Sequence, residues 1–339
     1  MTSSSTRSVF NEFDDEFDAV DVARVSRGAV GDMARGGSQL VATSYVDSVV
    51  SVLDPATRTI ADIAVDGEPF AVAATDRRAY VAITSTEFDG IAAIDLRSHS
   101  VVGAYGLGTG VMALAVSPDG QWVFAGRSGE HHVDVAVINV PTERFGTIAI
   151  ASGAGISIDA MVVDRAGRRL YVAITDGVSS QLVIADTASG TVRGTVAIGS
   201  PIRSLALGPD NIAYLLTSDL VDRGELCTVD LTSNRLTGRY AVGDAPTQLV
   251  LNADGSRAYI VDYDRVSVFC TSTNQVIETI RTVDEPTCIA VSADGSRLYI
   301  ADTEGNVTAI AVSAPAPLLY SQFVTTAGTS RPLATAATI

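Results

Sequence analysis

Pro246-Thr247-Gln248-Leu249-Val250-Leu251-Asn252-Ala253-Asp254-Gly255-Ser256-Arg257-Ala258-Tyr259-Ile260-Val261-Asp262 is restated 40 residues later as Pro286-Thr287-Cys288-Ile289-Ala290-Val291-Ser292-Ala293-Asp294-Gly295-Ser296-Arg297-Leu298-Tyr299-Ile300-Ala301-Asp302. Each copy reads as an apolar run, an Asp-Gly turn and a second run centred on Tyr. Gly255 and Gly295 suit these turns, because a residue without Cβ takes positive φ without strain. After the first copy come Arg265-Val266-Ser267-Val268-Phe269-Cys270 and Gln275-Val276-Ile277-Glu278-Thr279-Ile280, two further strand-like runs. A unit of about 40 residues with four short strands cannot bury its own apolar faces, and is the mark of a propeller blade.

The same unit recurs outward from this stretch. The aromatic or apolar residue of each second strand falls at Val41, Tyr80, Phe124, Tyr171, Tyr214, Tyr259 and Tyr299, at spacings of 39, 44, 47, 43, 45 and 40. A second mark, ending each third strand, falls at Asp54, Asp95, Asn139, Asp186, Asp230, Cys270 and Ala311, at spacings of 41, 44, 47, 44, 40 and 41. Two rulers with matching irregularities predict an all-β, single-domain, seven-bladed β-propeller of four-stranded antiparallel blades. It is expected to span residues 20–339, behind a disordered acidic lead over 1–19. The acids ending the third strands are read as structural, each accepting backbone N–H bonds two residues on in an Asx-turn. Cys270 and Ala311 lack that acceptor, so blades six and seven should close this turn differently.

An open ring would leave two exposed sheet edges. Residues 20–25 alternate apolar and polar, and are expected to supply the outer strand of the last blade, with 29–33 as the inner strand of the first. The rival is the C-terminal tail, with 318–323 as an outer strand and 333–339 entering the first blade.

Composition sets further bounds. Hydrophobic residues make up 47% of the chain but aromatics only 6%, so Val, Ile, Leu and Ala must build the core. The formal charge of −16 repels phosphate backbones and anionic lipid headgroups, which argues against nucleic acid and membrane partners. All 23 basic residues are Arg, so Schiff-base and phosphate-loop lysines are excluded. Cys227, Cys270 and Cys288 form no disulfide framework and are expected as reduced, buried thiols. The start has no apolar core of a signal peptide, and no run approaches ~18 uncharged apolar residues. A cytoplasmic monomer is the expectation. Trp122, where other blades have Arg, is expected to pack under a loop.

The pattern Pro–x–x–Ile/Leu–Ala/Val–x–Ser/Asn–x–Asp–Gly–Ser–Arg–x–Tyr–Ile/Val resembles the YVTN-type repeat of bacterial and archaeal seven-bladed propellers. Val81, Val172 and Ile260, each following its Tyr, match the name-giving strand. The likeness covers about 38–339; the first blade departs most, with Val41 where Tyr is usual. It implies the fold, and for function a range from surface-layer proteins and binding modules to lactonase-like enzymes.

Chemistry is expected where loops vary on a rigid frame. The loops entering the innermost strands and those joining second to third strands share one face around the channel. Candidate ligand-binding residues there are Asp66, Glu68, Asp159, Arg203, Asp244, Gln248, Asp262, Asp264, Asp284 and Glu285. The favoured reading is a non-catalytic scaffold binding a protein, peptide or cationic ligand on this acidic face. The alternative is a lactonase-like hydrolase whose channel-mouth carboxylates hold a divalent cation that polarises an ester carbonyl. Such relatives keep His, Arg and acids in the channel, whereas these inner strands offer Asp159, Arg203 and Gln248 without His. No dedicated cofactor or metal site is legible. His131-His132 could share a metal only from an irregular loop, because successive strand residues face opposite ways. No residue set points to a nucleophile with its base.

Overall fold

The computed structural model describes residues 19–86, 89–108, 110–177, 179–219, 223–282 and 284–312. They form seven four-stranded antiparallel sheets arranged as a ring. Blades one to six are continuous segments, 33–64, 68–106, 111–152, 157–199, 202–243 and 246–281. Blade seven takes three strands from 286–311 and its outer strand from Ala19–Arg24. Both sequence rulers hold in every blade: Val41 to Tyr299 lie in second strands, and Asp54 to Ala311 end third strands.

The middle strands of a blade are covered on both faces. Arg78–Thr84 and Asp89–Asp95 are buried along their whole central length, whereas the outer strand Ser100–Gly106 is mostly exposed. This is why the second and third strands read as unbroken Val, Ile, Leu and Ala runs rather than as alternation. Tyr80, Ala82, Ile91 and Ala93 of blade two stack on Val123, Ala125, Ala136 and Ile138 of blade three. Likewise Met33, Leu40 and Leu53 of blade one meet Cys288, Tyr299 and Ala301 of blade seven.

The face carrying the first-to-second and third-to-fourth turns repeats one local code. Asp54, Asp95, Asn139, Asp186 and Asp230 accept the N–H of Ala56, Arg97, Thr142, Ser189 and Thr232 at 2.9, 3.0, 3.0, 2.8 and 2.8 Å. Four residues after each acid the chain turns left-handed, at Arg58, His99, Glu143, Gly190 and Asn234. His99 is therefore a turn residue, its ring beside Gln39 at 3.3 Å. In blade six Cys270 keeps the geometry without the acid. Its carbonyl accepts Asn274 N–H at 2.9 Å, and its Sγ lies 3.1 Å from Ser272 Oγ. Cys227 and Cys288 are buried as expected, but Cys270 is only partly so, and hydrogen bonds from Ser272 and Thr273 bring its thiol down to about 7. Trp122 is 41% exposed rather than packed under a loop.

The N-terminal strand closes the ring. Ala19–Arg24 pairs antiparallel with Asn306–Ala311, setting Val22 opposite Thr308 and Arg24 opposite Asn306. As the chain leaves this strand, Val25 and Ser26 donate their N–H to Gly305 O at 2.8 and 3.2 Å. Gly305 has φ +84, and a Cβ there would lie 2.3 Å from Ser26 O, so only glycine fits. The inner strand of blade one is Met33–Gly36, later than the expected 29–33. Gly31 N–H still bonds Thr43 O, and Thr43 N–H bonds Asp32 O, but in an irregular step before regular pairing begins. The C-terminal rival, 318–339, and nearly all of the acidic lead lie outside the described residues.

Gly305→Ala is expected to lower stability by about 1–3 kcal/mol through strain and clash at the junction. Thermal unfolding and limited proteolysis within 19–30 measure it; an unchanged melting temperature and cleavage pattern would contradict this account of closure. A second prediction concerns the turn acids. Asp186 is held down to about 2, chiefly by Ser189 N–H. Its contribution to stability is thus present above the ordinary carboxylate range and lost as pH falls through about 2. Asp186→Ala should melt below the parent at pH 7, and the gap should shrink as melting is repeated towards pH 2.

Candidate functional site

The opposite face carries the outer-to-inner and second-to-third loops, which bond to one another. Leu107 N–H reaches Asp89 O at 2.9 Å, Ser218 N–H reaches Pro201 O at 3.1 Å, and Thr303 N–H reaches Glu285 O at 3.0 Å. On this face each inner strand of blades two to seven opens with a register slip, as between Ile158 and Ala160 or Ile202 and Ser204. A bulged residue is freed from the pleat and its side chain is re-aimed. The freed residues are Phe70, Met112, Asp159, Arg203, Thr247 and Thr287. Met112, Arg203 and Thr247 are exposed although Val111, Ile202 and Pro246 before them are buried, so in these blades the bulge turns a side chain out at the channel mouth, whereas Phe70 packs into the core between blades two and three. In ring order they form an apolar arc, a charged pair and a hydroxyl arc. Blade one contributes Gly31.

The next residue of each inner strand forms the floor, and there polar side chains tie one blade to another. Ser204 Oγ of blade five accepts Leu249 N–H of blade six at 3.1 Å. Gln248 Oε1 of blade six accepts Ile289 N–H of blade seven at 2.7 Å. Asp32 of blade one accepts Val72 N–H of blade two at 3.0 Å and its own neighbour Met33 N–H at 2.8 Å. Gln248 Nε2 also donates to Asp32 at 3.3 Å, reaching past blade seven. Burial raises the Asp32 carboxyl to about 6, against the pull of these three hydrogen bonds. Burial first, and the Asp32 charge second, push the Cys288 thiol far up.

Of the residues singled out by sequence, Asp159, Arg203 and Gln248 are brought to the mouth. Asp159 is half-buried. Ser157 Oγ donates to it at 3.2 Å, and Thr175 Oγ1 also bonds it, with Ser180 Oγ 2.9 Å behind Thr175. Burial raises its pKa, while the two hydroxyls and the Arg203 charge oppose that rise. Arg203 is exposed and donates to Ser218 O at 3.3 Å.

The remaining acids do not gather. Asp262 is buried and clamps its incoming loop, accepting Asp244 N–H at 3.1 Å and Ala245 N–H at 2.8 Å. Gly243 passes so close that a Cβ there would lie 2.2 Å from Asp262 Oδ2. Asp244 pairs with Arg223 at 2.9 Å and Asp264 with Arg265 at 2.8 Å. Asp66, Glu68, Asp284 and Glu285 stand on or beside the incoming loops, and no arginine among the described residues pairs with them. Among the described residues no three His, Cys, Asp or Glu side chains converge to hold a metal ion. His131 and His132 are exposed beside Glu130 and Asp134, at 3.7 and 4.0 Å.

Sequence reasoning missed Asp32 as a site residue. The signal was its alignment with Gln248 and Cys288 at the third position of the inner-strand motif, which the divergent first blade conceals. Grooves of about 420 Å³ between blades seven and one, and 580 Å³ between blades two and three, lie on the turn face. Three of their acids, Asp294, Asp95 and Asp119, are engaged by their own turns.

Because the folded pKa of Asp32 is raised, its contribution to stability is full below the ordinary carboxylate range and is lost as pH rises through about 6. Asp32→Asn removes that loss. The stability of the variant relative to the parent should rise by roughly 2 kcal/mol between pH 4 and pH 7.5, discounted for partial exposure to water. Denaturant unfolding at the two pH values measures it, and a pH-independent difference would refute the assignment.

No family model matches the chain. A seven-bladed beta-propeller protein of Mycobacterium tuberculosis (strain ATCC 25618 / H37Rv) is 34% identical over 297 residues, covering 76% of either chain. One from Mycolicibacterium smegmatis (strain ATCC 700084 / mc(2)155) is 44% identical over 318 residues, covering 92% of this chain and 86% of that one. The solved structure of Kuenenia stuttgartiensis hydrazine synthase superposes with a TM-score of 0.75 over 86% of this chain and 97% of that chain, at 17% identity, a likeness of fold alone. With seven closed blades and relatives at this identity and coverage, the chain belongs to the seven-bladed beta-propeller proteins.

Proposed function

We propose that this chain is a non-catalytic propeller scaffold that binds a peptide-like or cationic ligand on the face around the channel mouth. The observation that carries the reading is the division of labour between the two faces. The turn face repeats one hydrogen-bonding code blade after blade, with His99 and the Asx acids absorbed into it. The mouth face varies its bulged residue across blades two to six while keeping the same register slip. Variable side chains on an invariant frame are the arrangement of a recognition surface. The likeness of the repeat to the YVTN type is compatible with this, since that family includes binding modules.

The lactonase-like alternative asks several carboxylates to converge on one cation. Asp262 is committed to its loop, Asp244 and Asp264 to arginines, and Asp32, Asp159 and the acids of the incoming loops stand on different blades, no three of the described ones converging. No geometric observation favours it over the scaffold.

The test is capture of partners from cell extract by the whole chain and by two variants. Met112→Glu with Thr247→Glu should abolish capture, and Arg77→Glu on the turn face should leave it intact. Capture unchanged by the mouth variant would overturn the reading. Melting in the presence of calcium, magnesium and manganese tests the alternative: a cation-dependent rise accompanied by lactone hydrolysis would replace the scaffold with the enzyme.

A further inference from the structure

Two opposite charges on adjacent blades of the mouth have no ion-pair partner among the described residues. Asp159 and Arg203 occupy the same bulge position on the inner strands Ser157–Val163 and Ile202–Leu207 of adjacent blades. Three other arginines of this face pair with acids: Arg127 with Asp134 at 2.7 Å, Arg223 with Asp244, and Arg265 with Asp264. Arg203 makes one bond, to a backbone carbonyl, which leaves most of its N–H groups facing outward. The carboxylate of Asp159 is held by the hydroxyls of Ser157 and Thr175, which fix its direction without cancelling its charge. Beside Asp159 in the ring stands Met112, 49% exposed.

We infer that the mouth takes a small zwitterion with an apolar arm, of which an apolar α-amino acid is the simplest member. The inference rests on the mouth being the binding site, as proposed above, and narrows the ligand proposed there to one whose positive charge is balanced by a carboxylate. The ligand carboxylate meets the Arg203 guanidinium, whose planar fork matches two oxygens. The ammonium meets Asp159, and the side chain lies over Met112. A ligand with only a positive charge would face Arg203 unrelieved, and one with only a negative charge would face Asp159; a zwitterion satisfies both. A chain of net charge −16 repels free anions but exerts no net force on a neutral zwitterion. The unbranched thioether of Met112 adapts to several apolar shapes, so the site should tolerate different side chains more readily than the loss of either charge.

Calorimetric titration of the full chain tests this with L-leucine, leucinamide, which lacks the carboxylate, and N-acetyl-leucine, which lacks the ammonium. Leucine should bind, and each blocked form should bind about tenfold more weakly or worse. Arg203→Gln should weaken leucine by a similar factor and leave leucinamide unchanged. Asp159→Asn should weaken leucine and leave N-acetyl-leucine unchanged. Arg203 is exposed, so its variant keeps the test valid should Asp159→Asn fail to fold. Absence of leucine binding at millimolar concentration, or equal binding of leucine and its blocked forms, would overturn the inference. If leucine fails while the Met112→Glu and Thr247→Glu variant still loses capture, the zwitterion inference falls and the scaffold reading stands. If capture also persists, both fall.

Discussion

The stacking of one sheet face on the next is the contact from which the other features follow. A blade whose second and third strands are apolar on both sides has two faces to cover and can cover neither alone. Tyr80 of blade two, for instance, is buried only because Val123 and Ala125 of blade three lie against it. Stacking in a line would leave the first and last faces in water, so the chain must return on itself. The last blade therefore borrows its outer strand from the beginning of the chain, and Val25 and Val30 of the intervening segment enter the core between blades seven and one. Gly305 lets that segment pass at a distance no side chain would allow.

Closure also explains the different character of the two faces. On the turn face the chain makes tight reversals, and each needs a local acceptor and a left-handed residue, so composition there is dictated by the backbone. On the mouth face longer loops are tied down by whatever suits the loop. Asp262 does this with a carboxylate that accepts two loop N–H groups. Arg127, at the corresponding place in blade three, does it with a guanidinium that donates to Leu107 O at 3.1 Å. Opposite charges solve the same problem because a loop presents both N–H and C=O groups. Acidity on this face is therefore partly structural, and counting acids there overstates what remains for a ligand.

That distinction marks how much was legible in the sequence. The seven blades were readable because their determinants are local: a Tyr in a doubly covered strand, an Asx acid at a reversal, a Gly in an Asp-Gly turn. The closing strand was readable as alternation over 20–25. The inner strand of blade one was misplaced by several residues, because Gly31 and Asp32 form an irregular step that no propensity encodes. The site was only partly legible. Asp159, Arg203 and Gln248 sat on recognisable inner strands, but whether Asp262 faces a ligand or its own loop is decided by how closely Gly243 approaches. Asp32 was legible only through its alignment with Gln248 and Cys288, which the first blade blurs, and its partners Val72 and Gln248 lie 40 and 216 residues away.

Asp32 connects the scaffold to its mouth. Blades two to four place alanine at the same position, Ala71, Ala113 and Ala160, and blades five and six bridge to the next blade with neutral Ser204 and Gln248. Bridging therefore does not require a carboxylate, and burial works against one. What the charge adds is a negative potential beneath the ring, fixed in direction by Val72 N–H and Gln248. In partly desolvated surroundings such a potential acts more strongly than it would in water. It favours a positive group above it, and it leaves Arg203 as the one bulged side chain of the ring able to receive a negative one. The floor and the ring thus share one polarity, set by groups that the propeller fold itself does not need.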